Sequence, residues 1–458
     1  MPLELLAAGS DSLHKLSRDD FDLKSLLKVA GDSDIFPPEY YTVVEIASGE
    51  DHTLALIELD SAQNKHLNRF TSVGDLVPDA AKLPFKEEHA TYKKVACGRK
   101  CSYIVFTKKD ENDLSEPPAN DVLVSLGFHQ DNYFGELGCP PPEASSAEPR
   151  EGGKPCKHLI SFAGVLTEAG LDANAQVEIL DIAAGLRHAV VGLLVRTGTE
   201  GRVIIAGPGP APGVLEPRLI WDWKTPDPAS IRCKVRAGRE HTVVLVQGDV
   251  DGKTSILRCI GSNEHGQCAG IGDDDASAAL LKYGVTPDHI ADVTCNWTTT
   301  HFLVSRQKGD ARTRPLILSC GSNDQGQIGN ASRQSTSSEK ALVPAATNGG
   351  DFYLTTVFSE VEKLVSGSKH SLILGKWHWE SSEVKAEKGE KQVWGWGWNE
   401  HGNLAQGKKG SRPVHDEPML LLAPKQICIR RDARHHPVNI WAGHGTSYVL
   451  TEVEEVDS

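Results

Sequence analysis

Apolar residues alternate with small ones through Trp394-Gly395-Trp396-Gly397-Trp398, after which the chain turns through Asn399-Glu400-His401-Gly402. Period two marks a strand, and Gly and Asn accept the positive φ of a tight turn. The unit recurs in Leu318-Ser319-Cys320-Gly321-Ser322-Asn323-Asp324-Gln325-Gly326 and in Cys259-Ile260-Gly261-Ser262-Asn263-Glu264-His265-Gly266. A second pattern interleaves with it: a small residue, Gly, two variable residues, His, then an apolar strand. Its copies are Gly49–His52, Gly185–His188, Gly238–His241 and Gly367–His370. Gly98–Cys101 and Gly443–Thr446 lose the His, and Asn296–Thr299 loses both Gly and His. Each pattern occurs seven times and the two alternate strictly, the first centred on Gly9, Gly74, Gly127, Gly207, Gly261, Gly321 and Gly397, with Gly74 and Gly207 its weak copies.

Each repeat therefore supplies roughly four short strands with glycines at the corners, the composition of a propeller blade. The unbroken apolar runs after each His suit strands buried on both faces between neighbouring sheets. The expected fold is all-β, a seven-bladed β-propeller of four-stranded blades forming a single domain over residues 1–458. The N-terminal strand around Leu5–Ala8 is expected to pair near Tyr448–Thr451 in the last blade and close the ring. Polar insertions near 108–121, 139–157, 273–279, 330–350, 380–391 and 408–437 read as surface loops. The basic run Arg430–His436 within the last of them reads as solvated.

Charge and chemistry narrow the function. Lys and Arg number 48 against 62 Asp and Glu, a formal net charge of -14. That balance argues against duplex DNA or an anionic membrane as the main partner, since both are bound through excess cations. The ten cysteines are scattered without a Cys-x-x-Cys pair, so no zinc ribbon or thioredoxin-like motif is expected. No secretory leader or membrane-length apolar run is legible, which gives the expectation of a reducing intracellular location, cytoplasmic and nuclear, with the sequons at Asn296 and Asn330 unmodified. No phosphate-cradling loop, metal-spaced cluster or nucleophile motif stands out, so neither an enzyme nor a cofactor is expected.

The two motifs resemble the repeat of the regulator-of-chromosome-condensation family, seven-bladed propellers whose founding member exchanges nucleotide on the Ran GTPase. Gly395-Trp396-Gly397-Trp398-Asn399-Glu400-His401-Gly402, Ala183-Ala184-Gly185-Leu186-Arg187-His188-Ala189-Val190 and Trp297-Thr298 are similar to a smaller subfamily. It comprises the fungal alpha-tubulin suppressor, or killer-toxin-insensitivity propeller, and the animal secretion-regulating propeller. The resemblance implies a heterodimer with a small zinc-ribbon protein that donates electrons in diphthamide synthesis. It also implies support of Elongator-dependent wobble-uridine modification of tRNA. Guanine-nucleotide exchange on a Ran-like GTPase is the alternative.

Comparing repeats within the chain separates scaffold from site. The repeated glycines are turn positions, and His52, His188, His241 and His370 are expected to lock those turns through backbone carbonyls, too dispersed to share a metal. Asn263, Asn323 and Asn399 are expected to shape loops. Departures from the repeat point to a docking surface. Trp398 stands where Ser262 and Ser322 stand elsewhere, with Glu400 and His401 beside it. Trp297, Leu186, Arg187, Lys369 and His444 fill the variable turn slots. These eight are the expected partner-binding residues, on loops opening at one end of the sheets.

Overall fold

The computed structural model describes residues 2–10, 22–28, 37, 40–50, 52–59, 65–70, 90–108, 121–127, 156–207, 216–269, 280–281, 283–305, 315–329, 353–355, 358–377, 390–406, 413–422 and 433–455. Gly74, Asn330 and the expected insertions 273–279 and 330–350 lie outside these residues, as do most of 108–121, 139–157 and 380–391.

The described strands form antiparallel sheets in chain order. The first holds Tyr41–Ser48, Thr53–Leu59 and Lys65–Phe70; the second Ala90–Cys97, Ser102–Lys108, Asp121–Gly127 and Cys156–Ile160. The third holds Glu178–Ala184, Ala189–Thr197, Glu200–Gly207 and Arg218–Thr225; the fourth Arg232–Ala237, His241–Val250 and Lys253–Gly261. The fifth holds Ile290–Cys295, Thr299–Val304, Leu316–Gly321 and Tyr353–Thr355; the sixth Phe358–Ser366, His370–Trp377, Gln392–Trp398 and Val414–Leu422. The last joins the two ends of the chain: Ala433–Ala442 and Thr446–Glu455 are extended by Leu3–Ser10 and Asp22–Lys28, with Leu5 opposite Leu450 and Ala7 opposite Tyr448. The pairing of Leu5–Ala8 with Tyr448–Thr451 is thus as expected. Residues 40–256 form one compact unit and residues 1–39 with 257–458 another, the boundary falling within Lys253–Gly261.

One expectation is corrected. The segment 408–437, read as a surface insertion, contains the strand Val414–Leu422 and the start of Ala433–Ala442. Val414–Leu422 is the outermost strand of its sheet, a position that tolerates Pro418 and charges because one edge makes no ladder. Within the basic run, Arg434 and His436 flank the Glu454 carboxylate, at 3.8 Å and 3.2 Å, and His435 is buried beside Thr451.

Within each unit, apolar cores lie between successive sheets, which explains the unbroken apolar strands. In Ser102–Lys108, Ile104 and Phe106 pack toward the first sheet while Tyr103 and Val105 pack toward the third. In Ala189–Thr197, Val191, Leu193 and Val195 join the core shared with the second sheet, and Val190 and Leu194 that shared with the fourth. The alternation of Gln392–Trp398 has the same cause. Trp394 and Trp396 enter the core between the fifth and sixth sheets, and Val393 enters the core on the opposite face. Gly395 also faces that second core, where a Cβ would lie 2.8–3.0 Å from Leu372, Leu404 and Leu421. The glycine is a packing requirement.

The second motif is a turn closed by its backbone. The N–H of the Gly position donates to the carbonyl of the His position in every copy: Gly49 to His52, Gly98 to Cys101, Gly185 to His188, Gly238 to His241, Asn296 to Thr299, Gly367 to His370 and Gly443 to Thr446, all at 2.8–2.9 Å. The altered copies keep this bond because it needs no particular side chain. Glycine is required for a different reason: a Cβ at Gly185 would meet the Gly238 carbonyl of the next turn and, 2.5 Å away, the His188 ring. The imidazoles reach beyond their own turns. His188 Nε2 lies 3.0 Å from Thr242 Oγ1 and His370 Nε2 3.1 Å from Ser447 Oγ, each in the following sheet. These two histidines tie sheet to sheet, where the expectation was a lock within each turn. Asn296 replaces Gly in the fifth copy by donating to the Gly367 and His370 carbonyls and bonding buried His301 through Oδ1 (2.8 Å). With its side chain buried and fully engaged, this sequon asparagine is unavailable to glycosylation in the folded chain.

Burial lowers His188 to about 4, His241 to about 3 and His301 to about 3. The unfolded chain titrates near 6.5 and so binds more protons between those values. Stability is then complete above pH 6.5 and is lost as pH falls from 6.5 through 4 toward 3. His241 and His301 should each cost on the order of 1–2 kcal/mol by pH 5. Thermal midpoints at pH 7.5 and pH 5.0 check this, and a flat profile refutes it.

Candidate docking site

The two motifs meet at one end of each sheet. His370 opens its strand opposite Gly397, so the turn Ser366–His370 and the loop after Trp398 lie together. Gly397 has a φ of 102°, open to glycine, and a side chain there would strike the Lys369 carbonyl. The Trp398 N–H donates to the Lys369 carbonyl (2.9 Å), fixing the start of the loop against the turn. Each loop is then shaped by its asparagine, as expected. Asn263, Asn323 and Asn399 accept through Oδ1 from the N–H groups of Cys268 (2.8 Å), Ile328 (3.0 Å) and Leu404 (2.7 Å).

Successive turns are linked as well. The Trp297 N–H donates to the Ser368 carbonyl (2.8 Å), and the Ser368 N–H to that of Gly443 (3.4 Å). This brings three variable slots from three sheets together. The Trp297 ring packs 4.8 Å from that of His444, and Lys369 Nζ lies 5.9 Å from the Trp297 ring centre. Beside them, Trp398 Nε1–H donates to Glu400 Oε2 (3.1 Å), and the His401 ring meets Trp398 edge-on at 4.8 Å. Trp398 is half-buried within its own loop.

Six of the eight expected residues, Trp297, Lys369, His444, Trp398, Glu400 and His401, therefore belong to connected turns and loops of one compact unit. Leu186 and Arg187 lie in the other unit, in the turn after Glu178–Ala184, with Leu186 half-buried and Arg187 exposed. The patch gains one residue that sequence comparison treated as ordinary. Asp324 accepts from Ser322 Oγ (2.7 Å) and Gln327 Nε2 (2.8 Å). Its partial burial raises the carboxyl, but those two donors, with Lys369 nearby, outweigh it and hold it below the usual range. Ring faces, one ammonium and exposed carboxylates at fixed positions suit contact with another protein surface. Among the described residues, no group of three or more His, Cys, Asp or Glu side chains is placed to hold a metal ion, and no helix is long and apolar enough to cross a membrane.

A half-buried charge network was also missed. Four residues before each turn position stand Glu45, Lys94, Asp181, Lys234, Asp292, Lys363 and Asn439, charges that alternate in sign until the last. In most copies the strand bulges there, which turns these side chains along the sheet stack. Asp181 bonds Lys94 (3.2 Å), Arg236 (2.7 Å) and the Val235 N–H (3.1 Å). Burial would raise its carboxyl, but Arg236, Lys94 and the Val235 N–H hold it down. In the other unit Lys363 donates to Asn439 Oδ1 (2.7 Å) and lies over the Trp441 ring. Aligning the seven turns and reading that column would have revealed the pattern.

Human WBSCR16 superposes on the chain with a TM-score of 0.59 at 14% identity, over 99% of each chain. Prp20p from Saccharomyces cerevisiae, whose structure was described with its binding to Gsp1p and histones, gives 0.58 at 16% identity, over 100% of this chain and 93% of its own. Both are regulator-of-chromosome-condensation propellers. The fold is that of this propeller family. Each sheet above is accordingly a blade of the type that family uses, and the patch lies at the blade ends where the two motifs meet. Identities this low carry the fold alone. No family model and no curated protein sequence matches the chain.

Proposed function

We propose that the chain is a non-catalytic, seven-bladed propeller scaffold, closed by its N-terminal strand, that docks a small zinc-ribbon electron carrier as a heterodimer. In that role it supports diphthamide synthesis on elongation factor and Elongator-dependent modification of tRNA wobble uridines. One observation carries the reading. Trp398, which departs from its serine column, with Glu400 and His401 beside it, and the variable-slot residues Trp297, Lys369 and His444 cluster on hydrogen-bonded turns and loops. Residues that served only their own blades would have no reason to gather.

Tagged full-length chain drawn from native extract should retain a small protein carrying stoichiometric zinc, measured by mass spectrometry and metal analysis. Trp398→Ala and Trp297→Ala should each weaken retention roughly 30-fold, the loss of an aromatic hot spot, with thermal midpoints unchanged. Normal retention by both variants would move the site elsewhere, and absence of any zinc protein would sink the reading. Prp20p's binding to Gsp1p motivates a second reading, nucleotide exchange on a Ran-like GTPase. Labelled-GDP release from a purified Ran-type GTPase decides it: acceleration supports exchange, and an unchanged rate removes it.

A further inference from the structure

We propose that Cys259 and Cys268 are a site of reversible thiol oxidation, a staple that forms and breaks without changing the fold. The two are joined in a disulfide, whereas Cys97, Cys101, Cys233, Cys295 and Cys320 are not disulfide-bonded. Cys259 lies at the end of the strand Lys253–Gly261, and Cys268 in the loop that follows it.

Comparison between blades shows what the bond adds. The positions equivalent to Cys259 and Cys268 are Ser319 and Ile328 in the next blade, and Gly395 and Leu404 in the one after. Both pairs are buried without a covalent link, and the second shows how close the two positions come: a Cβ at Gly395 would lie 2.9 Å from Leu404 Cδ2. All three loops close in the same way, through the Asn Oδ1 accepting from the N–H five residues on. They also share a left-handed glycine, Gly266, Gly326 and Gly402. The loop of Cys268 thus has the asparagine bond and the left-handed glycine that its siblings have. The disulfide is supplementary.

The remaining free thiols are poor competitors for oxidation. Cys97 donates to the Ala47 carbonyl, Cys101 to Tyr103 Oη and Cys320 to the Gln267 carbonyl, each at 3.3 Å. Burial pushes the Cys97, Cys233 and Cys320 thiols up, so they stay protonated and unreactive. The stapled sulfurs are buried too, yet they lie under a short loop whose tip, Asn263–His265, is exposed. Lifting that loop gives access without opening a sheet. Cys320 of the following blade donates to the Gln267 carbonyl, next to Cys268.

Reduction breaks the Cys259–Cys268 bond and forms two thiols, taking two electrons and two protons from an external dithiol, which closes to its own disulfide. Oxidation reverses this with a small-molecule disulfide as acceptor. The inference is independent of the docking reading.

The test uses the full chain purified without reductant. Alkylation in denaturant should leave Cys259 and Cys268 unlabelled before dithiothreitol and label both after it, read by peptide mapping. Reduction should lower the thermal midpoint by a few degrees with the far-ultraviolet circular dichroism unchanged. Oxidised glutathione should restore the midpoint. The variant Cys259→Ser with Cys268→Ile, which copies the next blade, should fold, match the reduced midpoint and ignore dithiothreitol. Label on both cysteines before reduction overturns the proposal. So does loss of the dichroism spectrum on reduction, or failure of the double variant to fold while the reduced wild type does not refold.

Discussion

Trp396→Ala is expected to lower unfolding free energy by about 4 kcal/mol, the cost of emptying a well-packed aromatic site. Trp396 is fully buried in the core between the fifth and sixth blades. Its Nε1–H donates to the Gln327 carbonyl (2.7 Å), and its edge meets His301 at 5.9 Å. The ring lies where a Cβ on Gly329 would sit 2.7 Å from it, so the preceding blade is shaped around the indole. Truncation leaves a cavity and strands the Gln327 carbonyl, and the backbone on both sides is too fastened to collapse into the gap. The neighbouring Trp398→Ala should cost less than about 0.5 kcal/mol, because the described contacts of that ring are with Glu400 and His401 of its own loop. Urea unfolding followed by circular dichroism compares the two. Equal effects would mean that the division into core and docking tryptophans is wrong.

That division was half legible from sequence. Trp394 and Trp396 stand in columns occupied elsewhere by Leu318 and Cys320, so their burial followed from the repeat. Trp398 stands in a serine column, which marked it as different without showing its surroundings. The turns and the strands were legible because one physical demand, a sheet apolar on both faces with a backbone-closed turn at its end, is imposed in every repeat. What each repeat does to the next was not legible. The meeting of Trp297 with His444 depends on how one turn hydrogen-bonds to its successor, and residue spacing is silent on that. The Cys259–Cys268 bond was hidden for a related reason. Nine residues of separation match no familiar pairing, and the closeness of those two columns appears only where Gly395 is seen against Leu404. Val414–Leu422 was missed because an edge strand needs one apolar face at most, so Pro418 and the acidic pair Asp416-Glu417 read as loop.

Removing the Asp181 carboxylate should be nearly as damaging as removing the Trp396 ring, for an electrostatic reason. Asp181 joins Lys94 of the second blade to Arg236 and the Val235 N–H of the fourth, across its own third blade. Glu45 lies on the far side of Lys94 and accepts from the Val95 N–H (3.1 Å). Burial raises the Glu45 carboxyl, which leaves Asp181 as the firmer anion of the pair. In Asp181→Ala two cations face each other across the gap with the Val235 N–H unpaired. Breaking a buried pair costs about 3–5 kcal/mol. The Lys94 and Arg236 side chains keep 27% and 31% exposure, so water recovers part of that and about 3 kcal/mol is expected. Adding Lys94→Met to Asp181→Ala should then restore stability relative to Asp181→Ala alone, since it removes one of the opposed charges. Simple addition of the two single losses would show that the residues act independently, and the alternating column would be a coincidence of composition. Chemical unfolding of the two single variants and the double variant closes the cycle. A sub-additive result makes the alternating charges a specificity device: Glu45 and Asp181 each accept a cation or a backbone N–H from the following blade, and a repeat inserted out of order would bring like charges together.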